Sequence, residues 1–257
     1  SGLTFGTNGF YLDFEDSANL GNDANGGTDL DESNIAAADS STDTPTNNFC
    51  TWNPLNNYYF GGTYSEGNCK VATDNKSWNS TTMGVSKGKW YWEIKLVSNT
   101  GGVDDDFGFA GATSYSATDD GGTTNGTYVY YCRAANGNIW NEGSTSLDVN
   151  TFATGDIAGI ALDLDNMAWY ISKNGTWQNS GDPTSGASKT GDVGVPMAVA
   201  STPNGVYMPL VTYLNASASG VTAANFGGCS GFDVSSANQD GDGYGNFEYA
   251  VPSGYYA

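Results

Sequence analysis

Two stretches some sixty residues apart constrain this chain most: Gly88-Lys-Trp-Tyr-Trp-Glu-Ile-Lys-Leu96 and Gly155-Asp-Ile-Ala-Gly-Ile-Ala-Leu-Asp-Leu-Asp-Asn-Met-Ala-Trp-Tyr-Ile-Ser-Lys-Asn-Gly175. In the first, Trp90, Trp92, Ile94 and Leu96 fall on one side, and Tyr91, Glu93 and Lys95 on the other. That period of two belongs to a strand, not a helix. In the second, residues 157–164 are almost continuously apolar, as expected of a strand covered on both faces. Asp165-Asn166 supplies a turn, 167–172 a return strand and Asn174-Gly175 a further turn, so the stretch reads as a hairpin.

The rest of the chain agrees with an all-β reading. Residues 9–16 alternate, with Phe10, Leu12 and Phe14 on one face, and 17–48 form a long polar loop. Segments 48–52 and 67–72 read as a strand pair, and 107–112, 128–132, 138–140, 207–213 and 223–226 as further short strands. Loops fall at 114–126 and 178–194, and no helix of useful length is visible. Gly at 36 and Pro at 7 fit many tight turns, and 7 Trp, 16 Tyr and 11 Phe can fill a core although only 38% of residues are hydrophobic. At 257 residues, a single β-sandwich domain is expected over 1–257. Its parts would be N-terminal strands and an acidic loop (1–79), the sandwich core (80–228) and an acidic insertion with a closing strand (229–257).

A formal charge of −20, from 28 acidic and 8 basic residues, repels phosphate backbones and argues against nucleic-acid binding. Such acidity suits either a solvated surface in a salty medium or divalent cations. Histidine is absent, which removes His-based triads, His-ligated zinc and the usual near-neutral general base. No apolar run approaches the roughly 20 residues needed to span a bilayer, so membrane insertion is not expected. The chain starts at Ser1 without a signal segment, which suits a processed product or a piece of a longer polypeptide. Cys50, Cys69, Cys132 and Cys229 lack Cys-x-x-Cys spacing. They are read either as buried thiols or as two disulfides with three connectivities open, Cys50–Cys69 preferred across a turn-rich segment.

Gly88-Lys-Trp-Tyr-Trp-Glu-Ile resembles the opening signature of SPRY domains, and the 155–175 hairpin resembles their central hairpin. Tyr207-Met-Pro-Leu-Val and Asn225-Phe-Gly resemble their closing strands, so the match runs over roughly 80–228. The resemblance implies a concanavalin-like sandwich of two bent antiparallel sheets. The flanks Asn8-Gly-Phe-Tyr-Leu-Asp-Phe-Glu-Asp-Ser-Ala-Asn-Leu-Gly-Asn-Asp23, Asp43-Thr-Pro-Thr-Asn-Asn-Phe49 and Asn174-Gly-Thr-Trp-Gln-Asn-Ser-Gly-Asp-Pro183 are similar to tail-fibre-like virion proteins of bacteriophages. That likeness implies an extracellular, virion-borne module whose partners are other virion subunits, further copies of itself, or a cell-surface glycan or protein. The stretch from Gly228 onward departs from the family by interrupting the short link to the final aromatic strand.

This insertion carries Asn238, Asp240, Asp242, Gly243, Tyr244 and Asn246. Oxygen side chains at alternate positions before a Gly resemble the first half of an EF-hand-type loop, with the Tyr244 carbonyl as a further ligand and calcium as the fitting ion. The closing bidentate Glu is missing, since Tyr249 stands there. A second acidic cluster contains Asp16, Asp23 and Asp29 with Asn19, Asn22 and Asn25. Glycoside hydrolysis needs two carboxylates across a groove. The glutamates are scattered, and Asp163 and Asp165 precede a turn, so no catalysis is expected. Trp52, Tyr58, Tyr59, Tyr64, Trp78, Trp140 and Trp177 are candidates for sugar stacking, with rim loops at 60–66, 114–126 and 178–190. The function expected is a non-enzymatic virion appendage for assembly or host recognition. A secreted bacterial adhesin or filament subunit, or a lectin-like module, is the alternative.

Overall fold

The computed structural model describes residues 4–16, 18–35, 48–100, 105–111, 128–213, 219–228 and 230–257. The chain divides into two compact units, Ser1–Thr42 and Asp43–Ala257, where one domain was expected. The small unit closes on itself through short-range hydrogen bonds. Asp23 accepts the amides of Tyr11, Asn25 and Gly27, Glu32 accepts that of Gly21, and Leu30 donates to the Gly21 carbonyl. The strand expected at 9–16 is absent: Phe14 sits at φ 58°, and Phe10, Tyr11 and Phe14 are exposed. Alternation alone cannot make a strand where no neighbouring edge pairs with it.

The large unit is a sandwich of two antiparallel sheets. Its fourteen described strands are β1 (Trp52–Tyr59), β2 (Thr63–Ser65), β3 (Lys70–Thr73), β4 (Ser77–Thr81), β5 (Lys89–Thr100), β6 (Asp105–Ala110), β7 (Val129–Arg133), β8 (Asn138–Asn141), β9 (Ser144–Asp148), β10 (Ile157–Asp163), β11 (Ala168–Lys173), β12 (Thr176–Trp177), β13 (Met208–Tyr213) and β14 (Ser219–Asn225). One sheet has the order β1-β4-β13-β6-β7-β8-β9, the other β12-β11-β10-β5-β14-β3-β2. Among the described residues only short 3-10 turns interrupt the strands, at Gln178–Ser180, Pro183–Ser188 and Val199–Ser201. Among the described residues no helix is long and apolar enough to cross a membrane.

The inward face of β5 is the one its alternation indicates: Trp92, Ile94 and Leu96 are buried in the interior with Phe107, Phe109, Ile160, Leu162, Trp169 and Ile171. Phe109 is a hub, edge-on to Trp92, Trp169 and Tyr207 and stacked on Tyr130 at 5.1 Å. Such ring pairs contribute about 0.5–1.5 kcal/mol each beyond area burial.

The pairing expected between 48–52 and 67–72 is replaced. β1 pairs with β4, and β3 pairs with β2 and β14, although the Trp52 amide still reaches the Asn68 carbonyl. β4, Ser-Trp-Asn-Ser-Thr, is buried at every position despite its polarity. Asn79 is satisfied there by Ser77 and by the Val211 carbonyl of β13, which lets a polar strand enter the sheet.

The outer face of the second sheet is covered too. Tyr91, Ala161, Ala168 and Tyr170 pack under Phe247 and Tyr255 of the closing segment, with Val251 and Trp177 at the margin. That cover explains why every residue of β10 is buried. Tyr256 exchanges backbone hydrogen bonds with β5, donating to the Lys89 carbonyl and accepting from the Tyr91 amide. It thereby continues the position that β14 leaves after pairing Asn225 with Glu93.

Glu93 is the fastening. It is 0% exposed; one carboxylate oxygen accepts the Tyr249 amide at 2.8 Å and the Tyr91 hydroxyl at 3.0 Å. The other accepts the Glu248 amide at 3.0 Å and the Asn225 side-chain amide at 3.4 Å. Gly159 lies opposite Glu93 on β10, and a Cβ there would come within 2.7 Å of the Tyr91 hydroxyl, so a larger residue would push that ring aside.

Burial raises the Glu93 carboxyl above the ordinary glutamate range, and the Glu248 and Tyr249 amides and the Tyr91 hydroxyl only partly offset it. An acid whose folded pKa exceeds its unfolded value binds more protons when folded, so its contribution to stability falls as pH rises through that window. Glu93→Gln puts a donor where the amides need an acceptor and is expected to cost about 2 kcal/mol near pH 5. The gap to the parent chain should narrow as pH rises from 4.5, since only the parent has this carboxyl to ionise. Thermal melts of both chains across that range measure it, and a gap that widens would remove Glu93 from this role.

Candidate functional site

The acidic loop at 238–246 closes by hydrogen bonds of its own. Asn238 bridges to Phe247, and the Asn238 side chain donates to the Phe247 and Glu248 carbonyls. Asp240, nearly buried, accepts the Asp242 and Tyr244 amides on one oxygen and the Ala257 amide on the other. The Tyr244 carbonyl, expected as a ligand, accepts the Asp240 amide, and the Asn246 carbonyl accepts the Asn225 side chain. Asp242 is exposed. This is a capped turn that anchors the closing segment.

Asp23 does similar work in the small unit. The Tyr11 and Asn25 amides hold its carboxyl below the ordinary range, with burial opposing them and Gly27 adding to them. Asp29 accepts the Asp23 amide and the Asn19 side chain, and Asp16 accepts the Ala18 amide. Among the described residues no group of three or more Asp, Glu or Cys side chains comes together to hold a metal ion.

Cys50 and Cys132 carry unbonded thiols, which corrects the preferred Cys50–Cys69 disulfide; Cys229 lies outside the described residues. The sulfurs of Cys50 and Cys69 turn to different neighbours, the Thr51 and Met83 carbonyls for one and the Gly67 carbonyl for the other. Burial raises the Cys50 and Cys132 thiols above their usual range.

The carboxylates weighed for hydrolysis hold structure. Asp163 pairs with Lys89 at 3.0 Å and accepts the Asp165 and Asn166 amides and the Asn166 side chain. Burial alone would raise its carboxyl, but Asn166 and the Lys89 ammonium outweigh it and hold it below the usual range. That stability is complete above about pH 4 and lost as pH falls further. Asp165 accepts the Gly88 amide, and Glu248 accepts the amide and hydroxyl of Ser235.

Of the aromatic candidates, Trp52 and Trp78 are buried. Tyr64 donates to Asn79, Trp140 stacks on Tyr131, and Trp177 packs edge-on to Tyr91. The side chains of Tyr58 and Tyr59, and the rim loop at 114–126, lie outside the described set. The 178–190 rim is tied down by Asp182, which caps Thr184, and by the Tyr255 hydroxyl on the Pro183 carbonyl.

The remaining rim, at 60–66, borders a polar groove of about 430 Å³. Gly61, Gly62 and Gly220 lie along it, Thr63 and Ser98 bring hydroxyls, those of Thr73 and Ser219 are engaged with Asn75 and Thr100, and Asp74 brings a carboxylate. Phe60 stands at its edge, 63% exposed. A bulge helps shape it: Ser98 pairs with Val221 but Leu96 with Thr222, leaving Val97 as an extra residue on β5. An exposed ring beside hydroxyls and a carboxylate suits a polyhydroxylated ligand, whose C–H face stacks while its hydroxyls bond. Sequence reasoning marked the loop but missed Phe60, whose only signal is an aromatic directly before Gly-Gly.

The solved structure of the SPRY domain of human HERC1 superposes with a TM-score of 0.52, covering 67% of this chain and 96% of that domain at 16% identity. The fold is a SPRY-type sandwich. No family model and no curated protein sequence matches the chain.

Asp240→Ala is expected to lower the melting midpoint equally with and without millimolar calcium, because it strips acceptors from three amides. A calcium-dependent rise in the parent that this substitution removes would return the loop to metal binding.

Proposed function

We propose that this chain is a non-catalytic recognition and assembly module of a virion appendage, tail-fibre-like or decorating, and that its recognition surface is the groove at Phe60. The carrying observation is that an exposed ring, the hydroxyl-bearing Thr63 and Ser98 and the Asp74 carboxylate meet along one groove at the β2 and β3 edge of a sheet. The buried carboxylates Glu93 and Asp163 are turned to backbone amides and Lys89. The non-enzymatic half of the reading draws on that use, and the virion half on the likeness of the flanking segments to tail-fibre-like proteins. The partners are a cell-surface glycan in the groove and neighbouring virion subunits or further copies of the chain.

A glycan array with the whole chain is the test, followed by titration of any hit. Saturable binding is expected, weakened about three- to tenfold by Phe60→Ala, the worth of one ring contact. A blank array with ordered self-association would leave assembly alone. Recovery of the native chain from host-cell fractions rather than particles would favour a bacterial adhesin.

A further inference from the structure

We infer that a second cavity, at the start of β5, binds a small amphipathic anion: an apolar body of about ten carbons ending in a carboxylate or sulfonate. The cavity measures about 380 Å³ and lies between the 83–87 loop, Phe49 and Cys50, Pro209 of β13, and Phe226 just beyond β14. Phe49, Met83, Val85, Trp90, Trp92 and Phe226 give it an apolar lining. Its volume falls in the range of small-molecule sites, roughly 300–1,000 Å³.

Its mouth is held open. Val85 exchanges backbone hydrogen bonds with Tyr207 in both directions at 2.8 Å, and the Trp90 indole N–H donates to the Lys87 carbonyl at 2.8 Å. Pinned at both points, the loop cannot sink into the space below it. Protein interiors otherwise close such voids, so an apolar space kept open by two fixed contacts is preorganised for an occupant.

Charge selects the head group. The chain has 28 acidic and 8 basic residues, yet no Asp or Glu is among the described residues lining this cavity. Lys87 lines it, is exposed, and makes no ion pair among the described residues; Lys70, Lys95 and Lys189 make none either, but of these four only Lys87 lies at the cavity. A cation at the rim of an apolar cavity favours an anionic head group over a cationic one of the same shape, against the field of an acidic chain.

Calorimetric titration of the whole chain with decanoate and decylammonium below their micelle-forming concentrations, and with decanol below its solubility limit, tests both halves. One decanoate per chain should bind, more tightly than decanol, with decylammonium weakest. Lys87→Ala, at an exposed position and checked by thermal melting, should weaken decanoate about fivefold, to the level of decanol, and leave decanol unchanged. Phe60→Ala should leave decanoate binding intact, separating this site from the glycan groove. Absence of saturable binding, equal affinity for the three head groups, or indifference of decanoate to Lys87→Ala would each overturn the assignment.

Discussion

A carboxylate buried in the middle of a sheet holds the large unit together. Two stacked sheets cover only their facing sides, and the outer side of β5, β10 and β11 presents Tyr91, Ala161, Ala168 and Tyr170. That surface must be covered, and the cover is the closing segment with Phe247 and Tyr255. An irregular segment crossing an apolar face carries amides with no ladder to join, and each would cost free energy if buried without an acceptor. Glu93 accepts two of them, those of Glu248 and Tyr249, while Asn225 secures the Asn246 carbonyl beside it. A buried charge is tolerable on these terms because four donors surround it. The burial of β10 on both faces therefore depends on a side chain of β5.

What the sequence displayed followed the strength of its periodicity. β5 alternates, so its faces could be read directly, and β10 is almost continuously apolar, which marked it as covered on both sides. β4 was invisible because its burial rests on Asn79 and its partners in the adjoining strand, which no local pattern reveals. Residues 9–16 failed in the opposite sense, with alternation present but no partner edge. The acidic stretch at 238–246 is ambiguous for a related reason. Alternating Asp and Asn before Gly serves a cation loop and a capped turn equally well, and only the destination of the Asp240 oxygens separates them. The groove was half legible: the 60–66 loop was marked, but Ser98, Ser219 and Gly220 reach it from strands far along the chain.

Asp23, Asp163 and Asp240 show how a chain with modest hydrophobic content uses its acidity. Each aspartate gathers backbone amides at a turn where regular structure offers no acceptor. Acidity here is thus partly a folding device, and the charge count overstates what is free for partners or ions. Three of the eight basic side chains, Lys89, Arg133 and Lys173, are drawn into the same structural use as partners of aspartates.

The two proposed sites lie at opposite ends of one strand pair. The groove takes Ser98 from the end of β5 and Ser219 from the start of β14, while the cavity takes Trp90 from the start of β5 and Phe226 from just beyond β14. Eight residues of strand separate Ser98 from Trp90, about 26 Å at the usual rise. A glycan in one site cannot touch a small anion in the other, so any coupling between them would have to pass through β5 itself. That strand is fixed on both faces and both edges, by the interior, by the closing segment and by β10 and β14. A strand held on every side has no second arrangement to offer, and coupling needs an element with two states. The two sites should accordingly bind their ligands independently, each with an affinity set by its own walls.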